Sequence, residues 1–148
     1  MSWQPTASLA TLEVRAAMLR ATREYFAATR ALEVETPTLS AAAVTDVHLA
    51  SVAARANGQT RWLHTSPEYA MKRLLAAGSG DIWQLCRVYR DGESGRWHNP
   101  EFTLLEWYRV GIDHHALMAD VERLIAAVLP PGRVAERAER LTYREAVQ

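Results

Sequence analysis

One cysteine and one lysine stand in the whole chain, at Cys86 and Lys72. A single cysteine excludes an internal disulfide and cannot by itself build a metal site. No apolar run approaches the length of a membrane span. The opening Met1-Ser2-Trp3-Gln4-Pro5 lacks the basic-then-apolar order of a secretory signal. The expectation is a cytoplasmic protein with no membrane partner. Net charge is absent too, because 17 Lys and Arg balance 17 Asp and Glu. No global basic field therefore advertises a nucleic-acid partner. No internal repeat or low-complexity tract is present. Nearly all the positive charge is arginine and alanine is abundant, a bias that fits a GC-rich coding sequence. What remains is 148 residues, 49% of them hydrophobic, enough for one domain with a sizeable core.

Residues 8–29 read as a helix, with Leu12, Ala16, Leu19, Arg23 and Phe26 recurring at three- and four-residue steps. A short extended segment, 32–37, stops at Pro37. Strand-like runs at 45–51 and 60–65 flank Asn57-Gly58, a strong hairpin signal, and His48 reads as a sheet residue rather than a metal ligand. A helix follows, with Ser66 as N-cap, Pro67 in its first position, Glu68 at its positive end and Gly78 as its stop. Further on, Asp113 caps a helix with an apolar stripe of Leu117, Val121, Leu124, Ile125 and Val128. His114 and His115 in its first turn read as surface residues. Pro130-Pro131-Gly132 ends that helix, and an Arg- and Glu-rich connector follows. Thr142 and Glu145 then form a capping box that announces another helix just before Gln148.

Residues 84–108 hold most of the interpretable chemistry. They read as two strands joined by a long polar loop, 91–100. Alternation puts Gln84, Cys86, Val88 and Arg90 on one side of the first strand, and Phe102, Leu104, Glu106 and Tyr108 on one side of the second. If both sets face the same way, one surface presents a guanidinium, an aromatic face, a carboxylate and a phenol. That surface suits a phosphorylated, flat-ringed, amine-bearing ligand. An ordinary amphipathic hairpin with a solvated Arg–Glu pair has the same spacing. The loop favours the functional reading, because it is longer than usual hairpin connections and carries Arg96 and His98.

The run Arg90-Asp91-Gly92-Glu93, followed by His98-Asn99-Pro100-Glu101-Phe102 and Glu106, resembles motif 2 of class II aminoacyl-tRNA synthetases in the lysine-specific version. Thr65-Ser66-Pro67-Glu68-Tyr69 with Met71-Lys72-Arg73-Leu74 resembles the amino-acid-binding segment of the same family. The likeness covers nearly the whole chain. It implies an α+β fold, with an antiparallel sheet flanked by helices, and residues 1–148 as a partial catalytic domain. The helix and strand ending at Pro37 resemble motif 1, which implies a homodimer interface there.

The resemblance also implies activation of an amino acid by ATP as an aminoacyl adenylate. Arg90 is implied at the α-phosphate and substrate carboxylate, Phe102 under adenine, and Arg96 and His98 on the ATP-facing loop. Glu68, with Ser66 beside it, is implied at the substrate α-amino group. Glu106 is implied at the amino end of the substrate and Tyr108 at the distal amine. Glu68 has a complete second explanation as a first-turn helix charge, and spacing does not decide whether Arg73 faces the site or solvent. The usual pattern places a glutamate two residues after the motif 2 arginine. Gly92 stands there instead, and Glu93 is expected to take over its contact with ATP. Cys86 has no role in this scheme.

Motif 3 and the carboxylates that help bind Mg2+ are absent, so the chain corresponds to roughly the first half of the catalytic domain and the C-terminal half is expected to be missing. Within the family, the likeness is to short paralogues that attach β-lysine to a lysine of elongation factor P. Their substrate is lysine or β-lysine, and tRNA is not expected as acceptor. Met1 lies only a few residues before the first catalytic helix, where a true lysyl-tRNA synthetase carries an anticodon domain. Glu106-Trp107-Tyr108-Arg109 points the same way. The alternatives are a fragment of a true lysyl-tRNA synthetase and a non-catalytic dimerisation or regulatory remnant.

Overall fold

Ser8 starts the first helix by accepting the N–H of Thr11 on its hydroxyl at 3.1 Å, leaving α1 to run Leu9–Ala28. This is a computed structural model, which describes residues 3–130, 132–133 and 138–147. The chain divides into two compact units. One comprises Met1–Thr29 with Gly111–Gln148, the other Arg30–Val110.

The first unit is helical. Its α1 stripe is covered only toward the C-terminal end, where Thr22 and Phe26 are buried while Leu9 and Leu12 stand exposed. The third helix of the chain, α3 (His114–Val128), is capped as expected: Asp113 accepts the N–H of Ala116 at 2.9 Å. Its buried residues are Asp120 and Leu124, whereas Leu117 and Ile125 of the expected stripe are exposed. The reason is polar. The Tyr25 hydroxyl of α1 donates to the Asp120 carboxylate, and Arg123 Nη2 approaches the same oxygen at 3.3 Å, which draws that side of α3 inward. Burial first, then the bond to Asp120, pushes the Tyr25 phenol above its ordinary range. His114 and His115 are exposed, with ring centroids 4.0 Å apart. The capping box closes in both directions at α4 (Tyr143–Ala146), with Thr142 N to Glu145 Oε2 at 2.7 Å and Glu145 N to Thr142 Oγ1 at 3.3 Å. Pro131 and residues 134–137 of the connector lie outside the described residues.

The second unit holds every strand among the described residues. Strands β1 (Leu32–Glu33), β5 (Ile82–Tyr89) and β6 (Glu101–Tyr108) form one sheet in the order β1-β5-β6. Strands β2 (Leu39–Ser40), β4 (Gln59–Leu63) and β3 (Ala53–Ala56) form another in the order β2-β4-β3. The expected antiparallel sheet is thus two three-stranded sheets, and one of them is mixed. β1 runs parallel to β5 because the chain between them crosses through the second sheet and α2 (Glu68–Ala76) before returning. β5 is the central strand, and Ile82, Trp83, Gln84 and Val88 on it are buried.

Two local expectations shift. Asn57 and Gly58 both take positive φ, 52° and 75°, as a two-residue hairpin turn requires, and Ala56 pairs directly with Gln59. The first strand of that hairpin is therefore β3 and not 45–51. In 45–51 residues 47–48 make a turn, in which His48 donates its N–H to Asp46 Oδ1 at 2.8 Å, and Ala50 bridges to Asp91, so His48 is a turn residue and not a sheet residue. Pro67, not Ser66, is the N-cap of α2. The Ser66 hydroxyl still accepts the N–H of Glu68 at 3.1 Å. At the far end Gly78, with φ 86°, donates to Leu75 O at 2.9 Å, and Ser79 donates to Leu74 O at 3.1 Å, the pair of bonds that terminates a helix through a left-handed residue.

Candidate active site

The β5–β6 register decides the question left open by alternation. Gln84 stands opposite Glu106, Cys86 opposite Leu104, and Val88 opposite Phe102. Opposed residues share a face, so the two rows form one surface. Arg90 extends the ladder one residue past β5, donating its N–H to Pro100 O at 2.9 Å. Its guanidinium lies 5.0 Å from the centre of the Phe102 ring, and Nη1 is 3.8 Å from Glu93 Oε1. Its Nε is buried without a hydrogen-bond partner among the described residues. One end of the surface therefore offers a fork-shaped cation beside an aromatic face.

The other end is acidic and phenolic. Glu106 receives two hydroxyl donors, Ser66 on Oε2 at 2.6 Å and Tyr108 on Oε1 at 2.6 Å. Both oxygens are thereby oriented by neutral groups, and the negative charge remains uncompensated by them. Burial, then the bond to Glu106 and the nearby charges of Glu106 and Glu68, pushes the Tyr108 phenol far above its ordinary value. Ser66 links this cluster to the head of α2 through the N–H of Glu68. The Glu68 carboxylate is met at 2.5 Å by Lys72 Nζ, and that contact holds the ammonium above its usual range. A pocket of about 210 Å³ opens beside the cluster, lined in part by Ser66, Glu68, Asp46, His64 and Pro37.

Six of the residues expected at a site thus gather on or beside one surface: Arg90, Phe102, Glu106, Tyr108, Ser66 and Glu68. Glu93 joins them as the ion-pair partner of Arg90. Arg96 and His98 stand on the loop between the two strands. Arg96 lies 4.8 Å from the centre of the exposed Trp97 ring, and His98 pairs by its backbone with Gly95 at the tip of the loop. Pro37 is exposed and lines the pocket. Burial pushes the Cys86 thiol up, which disfavours the reactive thiolate. Among the described residues no group of three or more His, Cys, Asp or Glu could hold a metal ion. No helix of the described residues is long and apolar enough to cross a membrane. Sequence reasoning passed over the part Lys72 plays; its signal was the four-residue spacing from Glu68 on one helix.

Chemically, a surface with a guanidinium and aromatic ring at one end, and oriented carboxylates at the other, can hold a phosphate and flat base at the first and ammonium groups at the second. A family model described as tRNA synthetases class II (D, K and N) matches residues 2–148. The chain belongs to that family. It is 53% identical to a protein of Pseudoalteromonas translucida over 99% of its own length, and 53% identical to one of Vibrio cholerae over 97%. A protein of Pectobacterium carotovorum is 52% identical over 98% of the chain. All three relatives are named elongation factor P–(R)-β-lysine ligase. The chain spans somewhat less than half of them, 46%, 45% and 45% of their lengths respectively.

Proposed function

We propose that the chain forms the ATP- and amino-acid-binding portion of a cytoplasmic ATP-dependent ligase. The ligase activates lysine or β-lysine as an aminoacyl adenylate and transfers it to a lysine of elongation factor P. The observation that carries this reading is the single β5–β6 surface, which sets Arg90 over Phe102 at one end and Glu106 between Ser66 and Tyr108 at the other. The names of the relatives supply the substrate and the acceptor.

In the first step the amino acid carboxylate attacks the α-phosphate of ATP, the bond to pyrophosphate breaks, and pyrophosphate leaves. In the second, the acceptor amine attacks the activated carbonyl, releasing AMP and a proton. Neither step needs a protein nucleophile, so the chain contributes alignment and charge. Arg90 neutralises charge growing on phosphorus and positions the attacking carboxylate. Phe102 offers its face to adenine once the guanidinium moves onto phosphate. Glu93 steers Arg90, while Arg96 and His98 approach ATP from the loop. Glu68 and Glu106 hold the substrate ammoniums, and Tyr108 adds a hydroxyl at the distal one. Two copies pair through the bare N-terminal stripe of α1, and Pro37 is a second residue of the interface.

The test joins the chain to the remaining part of the Vibrio cholerae relative and measures ATP–pyrophosphate exchange with lysine and with (R)-β-lysine. Exchange is expected with at least one of them. Arg90→Ala is expected to reduce it at least ~100-fold, as loss of a transition-state donor does. Near-normal exchange in that variant removes Arg90 from the site. Efficient charging of lysine tRNA in place of elongation factor P overturns the acceptor.

A further inference from the structure

Glu68 and Lys72 form an i,i+4 pair on α2, a common arrangement on helices. Three observations set this pair apart. Lys72 is the only lysine in the chain. Its partner is the carboxylate proposed to hold the substrate α-ammonium, and that residue is tied through the Ser66 hydroxyl to Glu106. The Lys72 ammonium also feels the charge of Glu106, so both acidic groups of the cluster act on one cation.

Without substrate, the amine end of the site is therefore not a bare pair of carboxylates. It carries two negative charges and one tethered ammonium, of the same chemical kind as the groups a lysine-type substrate brings. A substrate α-ammonium that bonds to Glu68 Oε1 competes with the Lys72 ammonium already there. With 57% of the Lys72 side chain and 45% of the Glu68 side chain exposed, Lys72 has solvent to swing into.

Resting on the proposed reading of Glu68, we infer that Lys72 is a resident stand-in for the substrate ammonium, displaced from Glu68 when the amino acid binds. It acts through Glu68 as a positioning residue. It keeps the carboxylate oriented between turnovers and competes with each incoming amine. Lys72→Met removes the competitor and tightens lysine binding about twofold, the scale of an exposed i,i+4 pair. Lys72→Arg keeps the pair and leaves affinity within error of the parent. In the joined enzyme of the exchange assay, the Met variant lowers KM for the amino acid and leaves KM for ATP unchanged.

Because the chain has one lysine, incorporation of 13C,15N-lysine yields a single side-chain ε resonance, which reports on Lys72 alone. Backbone amides of Ser66 and Glu106 report independently on occupancy of the site. L-lysine added to the full 148-residue chain is expected to shift both sets, the Lys72 signal moving toward that of an unpaired lysine. Nα-acetyl-lysine, which has no α-ammonium, is expected to leave the Lys72 signal in place. Amide shifts with an unmoved Lys72 signal, or weaker lysine binding by Lys72→Met, overturn the displacement while leaving the proposed function standing. No amide shift with any ligand overturns the site and the displacement together.

Discussion

Glu106 shows how much of this site depends on hydroxyl groups. Its two oxygens are held by Ser66 and Tyr108, and neither donor neutralises it. Replacing Tyr108 by Phe removes one donor from a part-buried carboxylate and is expected to lower stability by about 1 kcal/mol, measured by urea unfolding. The same phenol gives a pH signature. A free tyrosine ionises near pH ~10, and the folded chain holds Tyr108 protonated beyond that. A raised folded value means its stabilisation is complete below pH ~10 and is lost as pH rises through the folded value. Phenolate absorbance of the parent is expected to show a late-ionising tyrosine, beyond Tyr25, that is missing from Tyr108→Phe. If both proteins titrate alike, the phenol is not held by Glu106. The residues of this cluster were legible in the sequence as types and positions. Their connections were not, because Ser66 and Glu106 are 40 residues apart in the chain and meet only once it has folded.

Elements whose ends are set by local chemistry could be read almost to the residue. Asp113 and the Thr142–Glu145 box each cap the helix that the sequence assigns to them, and Ser8, read as the start of the first helix, is its N-cap. The Asn57-Gly58 turn lies where its dipeptide places it, yet the strand before it was read too early, since Thr45 to Ser51 alternates plausibly and its turn depends on the Asp46 side chain. The parallel course of β1 has no local signal at all. It follows from a partner strand that lies almost fifty residues further on. Gly78 tests the local side of this contrast. A Cβ there would meet nothing within 4 Å, so any cost of Gly78→Ala comes from its φ of 86° alone. The substitution is expected to destabilise by about 1–2 kcal/mol in urea unfolding. A neutral result would mean that α2 can end without a left-handed residue.

For the molecule as a whole, the proposed pairing of two copies rests on α1, whose stripe is covered at Phe26 and bare at Leu9 and Leu12. Sedimentation velocity is expected to show concentration-dependent association. A double change of Leu9 and Leu12 to Glu should weaken it and leave the helical signal intact. A monomer at every concentration would remove α1 as the pairing surface. The two units differ in what the sequence could reveal about them. Helical periodicity located α1 and α3, but the inward turn of α3 follows the Tyr25–Asp120 bond, which an apolar stripe cannot foretell.

The β5–β6 surface also works as a ruler. Phe102 and Glu106 are four residues apart on one strand, a span of roughly 13 Å at the usual rise per residue. The base-stacking mark and the amine-gripping mark are therefore engraved on the same rigid bar, with no loop between them to stretch. Deleting one residue between the marks would turn one of them to the opposite side of the sheet, since strand side chains alternate. The gauge can be reset only in steps of two residues. Ligand length is thus metered by the backbone, and finer discrimination is left to the side chains at either mark.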